Sequence, residues 1–207
     1  MIDIFYNNNE EYCGALRQRV AENYPDKSDK VTVLHEDCNE LLQRIDSRQW
    51  FSEGWRGVIF LDPYAMELDW VSVEKISKTR IFDVWYLFPY SAVTRNLNND
   101  GKIKQATEER LNKIFGTDVW KTEIYTESAQ LTLFGESEIE KLPDGLKKFI
   151  IKRLEETFPK VAQNPVELKN KTNSTLFLLC FAVSNPNPSA WKPALNIANH
   201  ILRHTED

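Results

Sequence analysis

The chain has 207 residues, of which 42% are hydrophobic and 28% charged, and its formal net charge is −5. This length suits one globular domain with a packed core, and the negative charge argues against a strong nonspecific grip on nucleic acid. No run approaches the roughly 18 uninterrupted apolar residues of a membrane span, and residues 1–6 do not resemble a signal peptide, so we expect a cytoplasmic protein without a membrane segment.

The first ninety residues alternate between strand and helix patterns. Short apolar runs predict strands at residues 2–6, 31–34, 57–61 and 81–88. Between these strands, apolar residues recur at helical spacing, and the second helix is predicted to begin at Asp37 or Asn39. The first helix is predicted to bury a stripe with four-residue steps, formed by Tyr12, Leu16, Val20 and Tyr24. This alternation is typical of a mostly parallel sheet with right-handed crossovers.

The second half of the chain has a different pattern. Helical stripes are predicted around Leu111 and Phe149, and residues 98–160 are predicted to form a helical insertion or cover, although residues 116–135 give no clear pattern. Residues 161–168 and 175–183 flank a polar turn and predict an antiparallel hairpin, which a final helix follows. We therefore expect one α/β domain over residues 1–207. It would be Rossmann-like, with helices on both faces of the sheet and a terminal hairpin, as in class I methyltransferase domains.

Cysteines and charged residues give weaker signals. Cys13, Cys38 and Cys180 form no Cys-x-x-Cys pair, so reduced thiols are predicted instead of disulfides or a zinc site. In the run from His35 to Cys38, consecutive side chains would point in alternate directions, and we predict no metal site there. Residues 140–171 hold 8 basic against 5 acidic residues, which indicates either a basic contact surface or a solvated helix face.

Polar residues follow three of the predicted strands, at the edge where α/β sheets bind ligands. Asp62 directly follows an apolar strand and is predicted to face a reacting centre; the alternative is a buried acid satisfied by backbone amides. Asp37 could accept a hydrogen bond from an adenine amine, or it could cap the next helix. Tyr90 could form an aromatic wall and Arg95 could bind an anionic substrate group, with core packing and a surface salt bridge as the alternatives.

The tripeptide Asp62-Pro63-Tyr64 is similar to the Asp-Pro-Pro-Tyr motif of amino-methyltransferases, with one proline fewer. In that motif the acid and a proline carbonyl hold an amine, while the aromatic ring stacks on an extruded base. We therefore assign Asp62, Pro63 and Tyr64 as the predicted catalytic positions.

Four segments together resemble the three-Cys-motif partner protein (TcmP) family. They are Phe60-Leu-Asp-Pro-Tyr-Ala-Met-Glu-Leu-Asp-Trp70, Asp83-Val-Trp-Tyr-Leu-Phe-Pro89, Arg95-Asn-Leu97 and Ile114-Phe-Gly-Thr-Asp-Val-Trp120. The resemblance implies a class I methyltransferase fold that uses S-adenosylmethionine, and a separate radical-enzyme-like partner that bears the three-cysteine motif. It also implies that Asp62, Pro63 and Tyr64 match the fourth-strand motif, and that Asp37 matches the acid after the third strand.

The same resemblance implies an N-terminal strand and a glycine-rich loop for the methionine part of the cofactor. The first glycine here is Gly14, inside a predicted helix, so we expect that strand and loop to be missing. Asn7, Asn8 or Asn9 stands where the ribose-binding acid is expected, with Glu10 as a substitute. Three functions stay open: a methyltransferase of unknown substrate, a non-catalytic partner subunit of the three-Cys-motif protein, and a nucleic-acid base methyltransferase.

Overall fold

A computed structural model describes residues 3–45, 47–131, 137–142 and 144–204, with the side chains of residues 47–49, 127–131 and 137–140 left out. The chain divides into two compact units, Met1–Ile45 and Asp46–Asp207, here called the N-terminal unit and the C-terminal unit. Within the described ranges, no helix is both long and apolar enough to cross a membrane.

The N-terminal unit is a strand–helix–strand arrangement followed by a short helix. Its elements are β1 (Asp3–Asn7), α1 (Glu10–Asn23), a 3-10 helix (Pro25–Lys30), β2 (Val31–His35) and α2 (Cys38–Arg44). Strands β1 and β2 pair in parallel, in a register that runs from Asp3 opposite Val31 to Asn7 opposite His35. Parallel strands need a long crossover connection, whereas a tight turn joins only antiparallel strands. Helix α1 provides this crossover between β1 and β2.

The apolar stripe predicted for α1 is buried only in part: Leu16 and Val20 are half-buried, but its two tyrosines are exposed. Tyr12 and Tyr24 are 66% and 60% exposed, whereas Cys13 is buried, with its Sγ 3.4 Å from the carbonyl oxygen of Leu34. A four-residue step advances by about 40° more than one helical turn, so a stripe of three such steps winds around the helix. The two ends of the predicted stripe are therefore exposed, while its middle residues lie nearer the buried face.

The C-terminal unit contains most of the secondary structure. Its first elements are α3 (Ser47–Ser52), β3 (Gly57–Leu61), α4 (Trp70–Thr79), β4 (Phe82–Phe88), α5 (Tyr90–Thr94), α6 (Gln105–Phe115) and α7 (Trp120–Glu123). The remaining elements are β5 (Tyr125–Leu131), β6 (Ser137–Lys141), α8 (Gly145–Thr157), β7 (Lys160–Val161), β8 (Val166–Lys169), β9 (Thr175–Val183) and α9 (Pro188–His204). Residues 116–135, which lacked a sequence pattern, include α7 and β5.

The main sheet of this unit is mixed. Its strand order is β3-β4-β9-β7, and β8 also pairs with β9. Strands β3 and β4 are parallel, while β9 is antiparallel to β4, β7 and β8. The terminal hairpin predicted from the polar turn is confirmed, as is the α/β class. The described strands form a parallel pair, β1–β2, a mixed sheet that contains β3 and β4, and an antiparallel pair, β5–β6, so only that coarser class is established.

Helices cover both faces of the mixed sheet. On one face the aromatic rings of Phe88, Phe115 and Phe149 pack together, with centroid distances of 6.5 Å from Phe88 to Phe115 and 5.1 Å from Phe115 to Phe149. Trp70 of α4 is fully buried and donates from its Nε1 to Thr157 Oγ1 at 3.2 Å. On the other face, α9 packs against β9 around a cluster of Phe181, Val183, Ala198 and Leu202.

The apolar run of residues 57–61 predicts a buried strand, and this prediction is wrong for most of the length of β3. Leu61 is buried, but Val58 and Phe60 are 66% and 56% exposed. The reason is topological: β3 is the end strand of its sheet and pairs only with β4 among the described strands. The four apolar residues that led to the prediction therefore lie on an edge.

Candidate functional site

The carboxyl ends of β3 and β4 lie at one edge of the sheet. The two strands are parallel, with Leu61 opposite Tyr86, so both chains leave the sheet on the same side. Asp62, Pro63 and Tyr64 follow β3 directly, while α5 follows β4. The register thus brings the two sequence-predicted groups of this unit to a common edge, as expected for a ligand site in an α/β sheet.

The loop after β3 presents its side chains to solvent. Asp62 is exposed, and Tyr64 is 82% exposed. The loop closes through a hydrogen bond from the Glu67 amide to the Tyr64 carbonyl oxygen at 3.1 Å, with Ala65 in the left-handed region at φ 49°. The alternative interpretation of Asp62, as a buried acid satisfied by backbone amides, is therefore wrong. The loop displays an exposed carboxylate and, two residues later, an exposed aromatic ring.

Tyr90 and Arg95 stand at opposite ends of α5. Tyr90 is half-buried, and burial raises the pKa of its phenol, with the nearby charges of Asp144 and Glu167 acting in the same direction. Arg95 is exposed just past the end of the helix, and none of the ion pairs among the described residues includes it. The surface salt bridge weighed for Arg95 is thus not formed within the described part of the chain.

A polar cluster near Tyr90 was missed from the sequence. Glu167 on β8 accepts a hydrogen bond from Lys147 Nζ at 2.6 Å and another from Thr175 Oγ1 at 3.0 Å. The Lys147 hydrogen bond holds the pKa of the Glu167 carboxyl below its ordinary value. Strand β8 pairs with β9, and β9 pairs with β4. As a result, this cluster lies close to the edge that bears Tyr90. The excess of basic residues over 140–171 was the only signal in the sequence.

A groove runs along the outer face of α8 next to this cluster. Its volume is about 320 Å³, and it is lined by Asp144, Lys147, Lys148, Ile151, Lys152, Glu155, Gln163 and Pro165. Two of its lysines are already paired, Lys147 with Glu167 and Lys152 with Glu123, at 2.6 and 2.5 Å. Ion pairing therefore offsets much of the positive charge of residues 140–171. A solvated helix face, one of the two interpretations from sequence, accounts for this arrangement.

Two of the predicted cofactor residues lie in the N-terminal unit, where both form local backbone contacts. Asn7 Oδ1 accepts a hydrogen bond from the Asn9 amide at 2.8 Å. Asp37 Oδ1 accepts from the amides of Asn39 and Glu40 at 2.9 and 3.2 Å, which makes Asp37 the N-cap of α2. The capping interpretation of Asp37 is therefore confirmed. Its proposed role toward an adenine amine, and that of Asn7 toward the cofactor, stay predictions.

Glu10, the substitute for a ribose-binding acid, is also engaged. Its carboxylate contacts Arg17 at 2.7 Å and His35 Nδ1 at 3.1 Å. The hydrogen bond from Arg17 lowers the pKa of Glu10, and the charges of Arg17 and His35 lower it further. The carboxylate is thereby kept ionised as an acceptor, and its exposed position leaves it accessible to a hydroxyl donor.

Comparison with known proteins gives no match: no family model matches the chain, nor does any curated protein or any solved structure. The likeness to the three-Cys-motif partner family therefore rests on the four sequence segments and stays a prediction. Part of the last segment has a packing role, because Phe115 and Trp120 are buried. Gly116 has a φ of 66°, and a Cβ built on it would lie 2.6 Å from the Trp70 ring.

Proposed function

We propose that this chain is a three-Cys-motif partner protein, an S-adenosylmethionine-dependent methyltransferase-like protein whose substrate is unknown. The observation that carries the proposal is the exposed Asp62-Pro63-Tyr64 loop at the carboxyl edge of the parallel β3–β4 pair. An antiparallel hairpin on the far side of β4 gives further support, since it is the arrangement that the resemblance implies.

The residues at this edge fit the substrate side of such a reaction. Asp62 would accept a hydrogen bond from the N–H or O–H of the nucleophile and so orient it, while the exposed ring of Tyr64 would stack on a flat substrate group. Arg95 would hold an anionic group of the substrate by charge and by its planar donors. When bound, the cofactor supplies an activated methyl group on a sulfonium.

The fit to the cofactor itself is partial. Asp37 offers a carboxylate after β2, which suits a donor such as an adenine amine. The connection from β1 to α1 contains Asn8 and Asn9 and no glycine, and Gly14 lies within α1. In the resemblance this turn carries the ribose-binding acid, for which Glu10 is the substitute, whereas the glycine-rich loop for the methionine part follows an earlier strand.

Titration calorimetry with S-adenosylmethionine tests the proposal. We expect binding to the wild-type chain, and at least about tenfold weaker binding for Asp37→Ser, which removes the carboxylate but keeps an N-cap hydroxyl for α2. The matched control is Asp118→Ser, at an exposed position on the loop before α7, which should bind like wild type. The absence of heat at millimolar cofactor would remove cofactor binding from this chain.

A second candidate function is a non-catalytic partner subunit that keeps the fold for docking. The exposed apolar residues of β3 favour it. Purification of the tagged chain from its native host, followed by mass spectrometry, should then recover a three-Cys-motif protein in a fixed ratio. A chain that purifies alone but binds the cofactor would favour the enzyme.

A further inference from the structure

The outer edge of β3 has the features of an unfilled pairing site. The Gly57 amide donates to the Ile81 carbonyl oxygen at 3.0 Å, so Gly57, Ile59 and Leu61 direct their backbone groups toward β4. Because these directions alternate along a strand, the N–H and C=O groups of Val58 and Phe60 point to the open side. Their side chains share one face and are 66% and 56% exposed.

Exposed apolar side chains are concentrated around this edge. Besides Val58 and Phe60, they include Phe51 at 45% and Trp55 at 52% exposure, just before the strand. Single exposed apolar residues are common on protein surfaces, but several of them in and just before a strand whose outer backbone groups pair with no described strand indicate an interaction surface. Edge strands are commonly protected against pairing with another chain by charged or proline residues within the strand. The strand Gly57–Leu61 contains neither.

Two opposite charges flank the strand, one at each end. Arg56 is exposed before β3, with its guanidinium 5.2 Å from the centre of the Phe51 ring. Asp62 is exposed directly after β3. Within the described part of the chain neither residue forms an ion pair. Arg56 lies three positions before Ile59, and Asp62 lies three positions after it. If a two-fold axis related two antiparallel copies of the strand at Ile59, Arg56 of each copy would therefore lie opposite Asp62 of the other.

We propose that two copies of this chain pair through β3, antiparallel and in the register that sets Ile59 opposite Ile59 of the second copy. Val58 then lies opposite Phe60 of the second copy and Arg56 opposite its Asp62, and each contact occurs twice. The outward backbone groups of Val58 and Phe60 form the hydrogen-bonded pairs of this ladder. The mixed sheet becomes continuous across the two copies, and the open edge is closed.

The charges select this register among the neighbouring ones. Only shifts of two residues keep outward backbone groups facing each other. A shift in one direction sets Arg56 against Phe60, and a shift in the other sets Asp62 against Val58, so each shifted register loses both ion pairs.

Pairing through β3 has a consequence for the candidate site. It places Arg56 of one copy beside the Asp62 loop of the other, so a second copy would add a cation there. The proposal does not depend on methyl transfer.

The test is the mass of the full-length chain in solution, measured by sedimentation over a wide range of concentration. We expect a species of twice the 24.2 kDa of one chain. Arg56→Asp and Asp62→Arg should each raise the dimer dissociation constant at least about tenfold, because two attractive contacts become repulsive. Lys113→Glu and Asp118→Arg, at exposed positions on and after α6, are the matched controls and should leave the dimer unchanged.

Charge exchange supplies the decisive comparison. An equimolar mixture of the Arg56→Asp and Asp62→Arg chains should recover a dimer, in which one ion pair is reversed and the other keeps its wild-type polarity. The double variant should also dimerise, because both of its ion pairs are restored with reversed polarity. Circular dichroism confirms that each variant is folded. A monomeric wild type would overturn the proposal, as would a dimer that both single variants leave intact. Neither outcome affects cofactor binding, which Arg56→Asp would be expected to retain as a monomer.

Discussion

The N-terminal unit and the C-terminal unit are each stabilised internally by a different kind of interaction. In the N-terminal unit, Cys13 and Leu42 are the buried apolar residues among those described, and side-chain caps from Asn9 and Asp37 define both helices. The C-terminal unit instead surrounds its sheet with buried aromatic and aliphatic side chains. Capping bonds specify where an element begins, but apolar burial supplies most of the free energy of folding. We therefore expect the N-terminal unit to open more readily.

The largest expected effect comes from Trp70→Ala in the core of the C-terminal unit. Removing this fully buried ring should lower the free energy of unfolding by about 3–5 kcal/mol. Urea denaturation followed by tryptophan fluorescence isolates this unit, because all six tryptophans lie beyond residue 45. The matched control is Val71→Ala on the same helix, since Val71 is 56% exposed and should change stability little. Similar losses for both variants would contradict the assigned core.

An intermediate effect is expected from Asp37→Ala in the N-terminal unit. Loss of the N-cap should cost about 0.5–2 kcal/mol, confined to α2 and its neighbours. Hydrogen exchange should become faster at the amides of Asn39 and Glu40, while the tryptophan-detected transition stays in place. Asp37→Ser is the control, because its hydroxyl can still cap the helix. An equal shift of the tryptophan-detected transition would show that the two units unfold together.

The smallest effect is expected from Glu167→Gln, which weakens the pair with Lys147. At neutral pH the loss should be below about 1 kcal/mol, since the pair is partly exposed. Because the Lys147 hydrogen bond holds the pKa of Glu167 below its ordinary 4.5, this contribution is complete above that pH. It is lost as the pH falls through the lower pKa of the folded state. Denaturation from neutral to acidic pH should show the variant and wild type converging, and a constant difference would contradict this.

The sequence predicted elements well where the signal was local. The helix predicted between the strands at 57–61 and 81–88 has a continuous apolar face with Trp70, Val73 and Ile76. The strand ending at Phe88 is a dense apolar run, and both elements appear where the apolar pattern placed them. The exposure of Val58 could not be predicted in the same way, because it depends on which strands become neighbours. Strand pairing is decided by contacts between residues that are distant in sequence.

The candidate site divides along the same line. Asp62 could be located because it ends a strand, and Asp37 because caps have a sequence signature. The cluster of Lys147 and Glu167 could not, since α8 and β8 approach each other only after β8 pairs with β9. The motif placed Tyr64 at the site, but the extent of its exposure depends on the geometry of the loop. Sequence therefore identified the positions that follow the strands, whereas their surroundings required the fold.

The central place of β9 has a consequence for the order in which the chain folds during synthesis. This strand, near the end of the chain, pairs with β4, β7 and β8, so the mixed sheet cannot close until residues 175–183 have left the ribosome. Until then β4 lacks its pairing with β9, and the apolar faces of β4 lack part of their cover. We expect a nascent chain in this state to be prone to association.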